Sequence, residues 1–367
     1  MDIRTIVFRK ISLPLRSPFQ THQGELYERS VIIIEVSDDQ GLKGYGEVSA
    51  FPSPFYTAET VETAWHMLRD IILPRLNARH IQHPADFVRM TSFIQGNQMV
   101  KSGLEGALWD LYAKQNRVSL AELIGGTRDF VKAGAVLSLS DTITKDINRL
   151  KQSGYERYKL KVEKGKERDK IKQVQTVDPD LAIMIDANGM YRESDLDHLT
   201  ALDDLGLLMI EQPFEPGDFY LHRKAQQQMN TPICLDESIM SLHDARQAVE
   251  LGSCQIVNIK ISRVGGMTAA LNIHDYCQNN GLPVWCGGMV ETGIAKAHNL
   301  ALASLPNFTI PGDLSSSDRY FYKDVLKEPI EVNDGKIKVP TGKGIGVNVD
   351  SSYLEKVTLQ SYFWQPE

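Results

Sequence analysis

The sequence predicts an α/β protein whose main part is a modified (β/α)8 barrel of the TIM type, joined to a smaller N-terminal α+β unit. From about residue 131, short apolar runs alternate with amphipathic segments at intervals of about 25 residues. This alternation implies right-handed crossovers and a parallel sheet, and about eight such units suggest a closed barrel. An open doubly wound sheet is the alternative. It would need a G-x-G-x-x-G turn after an early strand, and none occurs there.

Composition limits the class of protein. The 367 residues favour two or three domains, and 42% hydrophobic with 24% charged residues is typical of a globular protein in water. The formal net charge of −7 argues against nucleic-acid binding but allows a small anionic substrate. The four cysteines form no CxxC pair, which favours a reduced, cytoplasmic protein. The first residues contain no long apolar segment, so we expect neither a signal peptide nor contact with a membrane.

The N-terminal unit is predicted to span residues 1–125. Residues 30–36 and 42–47 read as a hairpin, and residues 101–114 carry apolar side chains at helical spacing. Two loops, residues 16–24 and 50–56, carry surplus aromatic side chains. Such loops suggest a lid that excludes water, although packing against the barrel would give the same composition.

The barrel is predicted to span residues 126–317. Its strands are predicted at residues 133–138, 157–162, 181–186, 206–211, 232–236, 255–260, 282–286 and 308–310. Helices are predicted between them, for example at residues 140–153, 167–177 and 241–252. Residues 318–367 combine turn signals with short β-like runs, and we expect this segment to pack back on the N-terminal unit.

Three carboxylates end successive apolar strands at intervals of 25 residues: Asp186, Glu211 and Asp236. Barrel enzymes place their chemistry at the carboxyl ends of strands, so the three should converge. Three anions at that distance would repel each other, and a divalent cation would remove the repulsion. Oxygen ligands without nearby His or Cys favour Mg²⁺, or Mn²⁺ in its place. The alternative, that each carboxylate caps the following helix, fits any one of them better than all three.

Two lysines share one face of the second strand, because Lys159 and Lys161 are separated by one residue. Lysine is rarely buried without a partner, so the mouth of the barrel is the expected place. Lys260 ends the sixth strand, half the circumference away. A substrate between Lys161 and Lys260 would have one ammonium on each face, which suits proton abstraction next to a carboxylate. Solvated surface lysines are the alternative.

Further residues are candidates for substrate contact or support. Asn188 lies two residues beyond the first carboxylate, and Glu237 directly follows the third, where it could support the ligands. Gly288 and Met289 follow the seventh strand, where glycine lets the backbone approach a ligand. Ser138 ends the first strand and could donate a hydrogen bond or cap a helix.

These residues fall into an ordered set of short motifs: Lys159-Leu-Lys161, Asp186-Ala-Asn188, Glu211-Gln-Pro213, Asp236-Glu-Ser238 and Asn258-Ile-Lys260. The set resembles the muconate-lactonizing-like subgroup of the enolase superfamily, and the resemblance covers nearly the whole chain. Residues 258–266, 288–293 and 303–313 resemble the branch that contains o-succinylbenzoate synthases and N-acylamino acid racemases. A barrel that had lost catalysis should lack some of the principal residues, and none is missing.

The resemblance implies a capping domain on a modified barrel and a required Mg²⁺. It also implies dehydration of 2-succinyl-6-hydroxy-2,4-cyclohexadiene-1-carboxylate to 2-succinylbenzoate, a step in menaquinone synthesis. In this sequence Lys161 would be the acid/base, and Lys260 would stabilise the enediolate by a cation–π contact. Lys159 would assist the substrate carboxylate and lower the pKa of Lys161. Racemisation of N-succinylamino acids, with both lysines as bases, is the alternative or a second activity. The expected partner is a small carboxylate, and association of several copies is compatible with the sequence.

Overall fold

The computed structural model describes residues 1–21, 24–77, 80–137 and 143–366. The N-terminal strands are β1 (Ile3–Thr21), β2 (Gly24–Asp38) and β3 (Lys43–Val48). The remaining strands are β4 (Phe130–Lys132), β5 (Ala135–Leu137), β6 (Arg157–Lys161), β7 (Ala182–Asp186), β8 (Met209–Glu211), β9 (Ile233–Leu235), β10 (Ile256–Ile259), β11 (Val284–Cys286), β12 (Lys336–Lys338) and β13 (Thr358–Trp364).

Helices separate most of these strands. They are α1 (Val61–His66), α2 (Pro84–Met90), α3 (Gln98–Gln115), α4 (Leu120–Leu123), α5 (Ile143–Gln152), α6 (Glu167–Gln175), α7 (Leu196–Thr200), α8 (Phe219–Gln226), α9 (Leu242–Leu251), α10 (Ile261–Val264), α11 (Met267–Asn279), α12 (Gly293–Ala303) and α13 (Ser351–Lys356). None of those lying in the described ranges is both long and apolar enough to cross a membrane.

Seven parallel strands form the central sheet in the order in which they occur in the chain, from β5 to β11. Residues 308–312 connect its two edges, because Phe308 bridges Val284 of β11 and Gly312 bridges Ala133 beside β5. The sheet therefore curls into a barrel, as the sequence predicts. The predicted eighth strand exists only as these bridges, since Pro311 lacks the N–H that a longer ladder needs.

The pleat of the strands decides which side chains face the barrel interior. Met184, Met209, Cys234, Ile256 and Trp285 pack together as one small buried cluster, with one member from each strand from β7 to β11. Residues two positions further along a strand share its face. The interior of the barrel is therefore continued, one layer toward the carboxyl ends of the strands, by the polar residues Asp186, Glu211, Asp236 and Asn258.

A second, antiparallel sheet has the strand order β13–β1–β2–β3 and carries α3 on one face. Two glycines allow α3 to approach β3 closely: a Cβ atom at Gly46 would lie 2.0 Å from the backbone oxygen of Gly103. The final strand, β13, comes from the C-terminal segment and pairs with β1. That segment also contributes β12, which pairs with β4 beside the barrel.

Most predicted elements occur with shifted ends. The strand predicted at residues 206–211 is shortened to Met209–Glu211, because Gly206 ends the preceding helical turn in the left-handed region at a φ of 63°. The N-terminal hairpin is longer than predicted. The predicted helix 140–153 is described only from Ile143 to Gln152.

Candidate active site

Lys159 is the centre of the polar layer. It lies on β6 with only 3% of its surface exposed. Its Nζ atom lies 2.9 Å from Asp186 Oδ2, 2.6 Å from Glu211 Oε2 and 3.0 Å from Asp313 Oδ2. Burial lowers the pKa of Lys159, but the three carboxylates outweigh burial and the pKa lies well above its ordinary value. Lys159 is therefore a fixed cation that joins carboxylates from three segments.

The first two predicted ligands stand side by side. Asp186 and Glu211 are paired residues of the β7–β8 ladder. Burial raises the pKa of Asp186, but the ammonium groups of Lys159 and Lys161 outweigh it and hold that carboxyl ionised. Burial keeps the pKa of Glu211 above its ordinary value despite Lys159. Asn258 Nδ2 donates to Glu211 Oε1 at 2.9 Å, which orients this carboxylate.

Lys161 ends β6 at the mouth of the barrel, where 45% of its side chain is exposed. It donates hydrogen bonds to Asp186 Oδ2 and, at 2.7 Å, to Asn188 Oδ1. Asn188 Nδ2 in turn donates to Glu237 Oε1 at 2.9 Å. Burial raises the pKa of Glu237, and its Oε2 atom is buried with no hydrogen-bond partner among the described residues.

Lys260 lies directly after β10, which is four positions from β6 in the strand order. Its Nζ atom lies 2.7 Å from Asp236 Oδ2 and 2.9 Å from the hydroxyl of Tyr56, whose ring centre is 4.9 Å away. Burial lowers the pKa of Lys260, but Tyr56 and Glu237 outweigh it, so the pKa is above its ordinary value. Lys260 is a buried cation, whereas Lys161 is open to the mouth.

Arg263 is a site residue that the sequence did not reveal. It is fully buried on α10 and donates to Asp236 Oδ1 and, at 2.6 Å, to the backbone oxygen of Asn258. Its Nη1 atom also lies 3.3 Å from the Tyr56 hydroxyl. Its position three residues after Lys260, on a turn of helix, is the signal that could have found it.

Asp313 is the second residue missed. Arg157 Nη2 lies 2.7 Å from Asp313 Oδ1, and Lys159 holds the other oxygen. Burial raises the pKa of Asp313, but Lys159 and Arg157 outweigh it and lower the pKa to about 2. Asp313 follows the closing segment of the barrel, where strand-end carboxylates are expected to face the site.

Two of the predicted substrate contacts lie at the same rim. A Cβ atom at Gly288 would lie 2.2 Å from the backbone oxygen of Asp313, so only glycine fits here. Met289 packs against the core of the N-terminal unit. Ser138, the remaining predicted contact, lies outside the described residues.

The carboxylates are held by cations rather than arranged as a finished metal site. Within residues 1–21, 24–77, 80–137 and 143–366, no three His, Cys, Asp or Glu side chains form a ready coordination group. Asp186 and Glu211 both form ion pairs with Lys159, and Asp236 forms ion pairs with both Lys260 and Arg263. The predicted ligand set therefore stays a prediction.

A curled parallel sheet with carboxylates and lysines at the carboxyl ends of its strands is the architecture of a barrel enzyme. Residues 143–353 match the family model described as enolase C-terminal domain-like. Residues 3–125 match the model of the mandelate racemase/muconate lactonizing enzyme N-terminal domain. The chain belongs to this family of the enolase superfamily, as its motifs predict.

Proteins similar over the full length carry two kinds of name. The chain is 46% identical to an o-succinylbenzoate synthase of Bacillus subtilis, covering 100% of this chain and 99% of that protein. It is 38% identical to an N-succinylamino acid racemase of Thermus thermophilus, over 100% of this chain and 98% of that protein. The crystal structure of an enolase superfamily member from Listeria innocua superposes with a TM-score of 0.96, at 42% identity, covering 100% and 99% of the two chains.

Proposed function

We propose that this chain is an o-succinylbenzoate synthase, a carbon–oxygen lyase of menaquinone synthesis. Its reaction would be the syn-dehydration of 2-succinyl-6-hydroxy-2,4-cyclohexadiene-1-carboxylate to 2-succinylbenzoate. The observation that carries the proposal is the placement of Lys161 and Lys260 at the carboxyl ends of two strands four positions apart, with carboxylate-bearing strands between them. The full-length relatives named as o-succinylbenzoate synthases support it. The four free cysteines fit the reducing cytoplasm, where we place the reaction.

Lys161 is suited to move the proton. In its neutral form it would take the proton from the ring carbon that carries the carboxylate. The electrons of that C–H bond would first move onto the substrate carboxylate as an enediolate and would then form the new ring double bond as the C–O bond breaks. The same ammonium would then protonate the departing hydroxide, giving water and an aromatic product. One residue acting on one face of the ring accounts for the syn course.

Lys260 is suited to stabilising negative charge during dehydration rather than to moving the proton. It is 7% exposed and is fixed by Asp236 and Tyr56, so it would remain a cation during dehydration. A fixed positive charge beside the ring stabilises the negative charge that develops after proton removal. Because this charge needs no rearrangement during the reaction, it stabilises the transition state more than water would.

The carboxylates are the kind of donors that Mg²⁺ prefers, and Mn²⁺ could substitute. Glu211 Oε2 accepts no hydrogen bond from the described residues, although it is ion-paired with Lys159, so it keeps a lone pair for a cation. We propose that Asp186, Glu211 and Asp236 hold the ion, which would neutralise charge on the substrate carboxylate. Glu237 and Asn188 would support this layer through their mutual hydrogen bond.

Racemisation of N-succinylamino acids is the second candidate. The relative of that name in Thermus thermophilus covers the whole chain. Lysines on opposite sides of the mouth are what racemisation requires, because one base removes the proton and the other returns it to the opposite face. Ser138, Asn188, Gly288 and Met289 are the proposed contacts that would decide between the two substrates.

The test compares kcat/KM for the cyclohexadiene substrate and for N-succinyl amino acids, with Mg²⁺ and then with excess chelator. We expect dehydration to be the more efficient reaction, to disappear in chelator, and to return when Mg²⁺ is restored. Full activity in chelator would contradict the metal proposal. A kcat/KM that is higher for racemisation than for dehydration would make racemase the function.

A further inference from the structure

Arg29 is a buried arginine outside the polar layer of the barrel. It lies on β2 with 1% of its surface exposed. Its guanidinium donates to four backbone oxygens: Ser30 at 2.9 Å, Ser49 at 2.5 Å, Ala50 at 2.7 Å and Val290 at 2.8 Å. The first three belong to the N-terminal unit and the last to the loop after β11. One side chain therefore joins both sides of the domain boundary.

Placing a guanidinium here is costly for the fold. Burial lowers the pKa of Arg29 to about 10, and the nearby carboxylates of Glu47 and Glu291 offset only part of that shift. If Arg29 served only to join the two domains, apolar side chains could do so without the loss of hydration that a buried charge suffers. Arginine offers five donors in a rigid plane, so it can fix several carbonyl groups in one geometry.

The segment fixed by Arg29 continues into the aromatic lid. The guanidinium carbon lies 4.2 Å from the ring centre of Phe51. Phe51 stacks on Phe19 at 6.0 Å between ring centres and contacts Phe55 at 4.6 Å. Residues 16–21, predicted as part of a loop, belong instead to β1. Phe19 of β1 and the rings of Phe51 and Phe55 from the predicted lid loop 50–56 thus form one group, and Arg29 packs on Phe51.

The chain segment that carries Phe51 and Phe55 ends beside Lys260, the proposed catalytic cation. Tyr56 follows Phe55 directly, and its hydroxyl is the group that bonds to Lys260. On the other rim, Val290 follows Met289, so the same guanidinium also holds the loop of the proposed substrate contacts. One guanidinium therefore holds both the segment that leads to Tyr56 and the loop that carries Met289.

We propose that Arg29 is a positioning residue that holds the lid segment, residues 49–56, over the mouth and so sets the affinity for substrate. It touches neither the reacting atoms nor Lys260, and it acts through Phe51, Tyr56 and Val290. The inference rests on the proposed function only in that the mouth is the place where substrate binds. Arg29, a side chain of the N-terminal unit that lies away from the reacting atoms, thereby takes part in substrate recognition.

The test is Arg29→Lys, which keeps the charge but replaces a wide fork with one nitrogen that cannot reach all four oxygens. We expect KM for the cyclohexadiene substrate to rise about tenfold with kcat within about threefold, because remote binding contacts are lost. Amide hydrogen exchange in residues 49–56 should accelerate about tenfold. The control is Asp38→Asn, a buried change at the far end of β2 that should alter neither.

A second variant separates positioning from simple loss of stability. Tyr56→Phe removes the hydroxyl that reaches Lys260, and combining it with Arg29→Lys should raise KM by less than the product of the single effects. The proposal is overturned if Arg29→Lys leaves KM, or the rate of amide exchange in residues 49–56, within about twofold of the value for the unmodified protein. It is also overturned if the effects of Arg29→Lys and Tyr56→Phe on KM simply multiply. If the unmodified protein converts neither substrate, the proposed function fails, whereas exchange still decides whether Arg29 holds the lid segment.

Discussion

Lys161 is the residue on which the proposed proton transfer depends, because it is the exposed lysine at the mouth. We expect Lys161→Ala to lower kcat for dehydration and racemisation by about 10³-fold or more, the usual effect of losing a general base. Product formation can be followed by absorbance and by chiral chromatography. Lys166→Ala is the control, since Lys166 is an exposed lysine that pairs with Glu163. Retention of either activity in Lys161→Ala would refute its role.

Lys260 tests whether one lysine or two move protons. Arginine keeps the positive charge but does not lose its proton at neutral pH. We therefore expect Lys260→Arg to abolish racemisation while dehydration falls about tenfold to a hundredfold, since its cation remains. Both rates can be measured on one preparation. Equal losses in the two reactions would contradict the separate roles of Lys161 and Lys260.

The residues of this site differ in how far sequence alone reveals them. Asp186 and Glu211 were predictable because each ends a run of apolar residues, so the pleat and the strand end fix where the side chain points. Tyr56 was not, because its contact with Lys260 spans 204 residues of sequence and depends on how the two domains pack. Arg263 and Asp313 lie within residues 258–266 and 303–313, but the sequence does not mark them as site residues, because only the structure shows that they pair with Asp236 and Lys159.

At the scale of elements, two carboxylates of the N-terminal unit cap barrel helices. Glu105 of α3 accepts from the backbone N–H of Thr268 at 3.3 Å, in the first turn of α11. Glu47 of β3 accepts from the N–H of Thr292 at 3.1 Å, the residue before α12. Anions are favoured at helix N-termini. Burial nevertheless dominates and raises the pKa of both carboxyls to about 7.

These caps make stability depend on pH in a definite direction. The ordinary pKa of Glu105 is 4.5, so between pH 4.5 and 7 the folded protein keeps a proton that the unfolded chain releases. Its contribution to the free energy of unfolding therefore falls as pH rises through that window. The free energy of unfolding of Glu105→Gln, measured relative to that of the unmodified protein, should therefore rise by about 2–3 kcal/mol when the pH is raised from 5 to 8. Denaturant unfolding at both values, with the exposed Glu122→Gln as control, measures this; a pH-independent difference would contradict it.

The elements also show where sequence patterns stop being informative. Alternating apolar runs predicted the seven strands of the barrel because each is buried on both faces. The closing segment was predicted as a strand from the same pattern, yet Pro311 limits it to bridges. The register of β13 with β1 could not be read from the sequence, since two strands from opposite ends of the chain carry no local signal of their pairing.

At the scale of the whole molecule, β13 attaches the C-terminal segment to the N-terminal sheet. Tyr362 is half-buried and its ring lies 5.1 Å from that of Phe8, whereas the next residue, Phe363, is 59% exposed. We expect Tyr362→Ala to lower the free energy of unfolding by about 1–3 kcal/mol, because a packed ring is lost. Phe363→Ala should change it by less than about 0.5 kcal/mol. Equal effects in thermal or denaturant unfolding would mean that β13 does not pack as described.

The pairing of β13 with β1 also has a consequence for the time course of synthesis. About 300 residues separate the end of β3 from the start of β13, so the ribosome needs roughly 15–60 s to supply the missing strand. During that time the free edge of β1 could pair with other nascent chains. Arg4, Arg9 and Lys10 lie along this strand. Their positive charges would repel another copy while the sheet waits for its last strand.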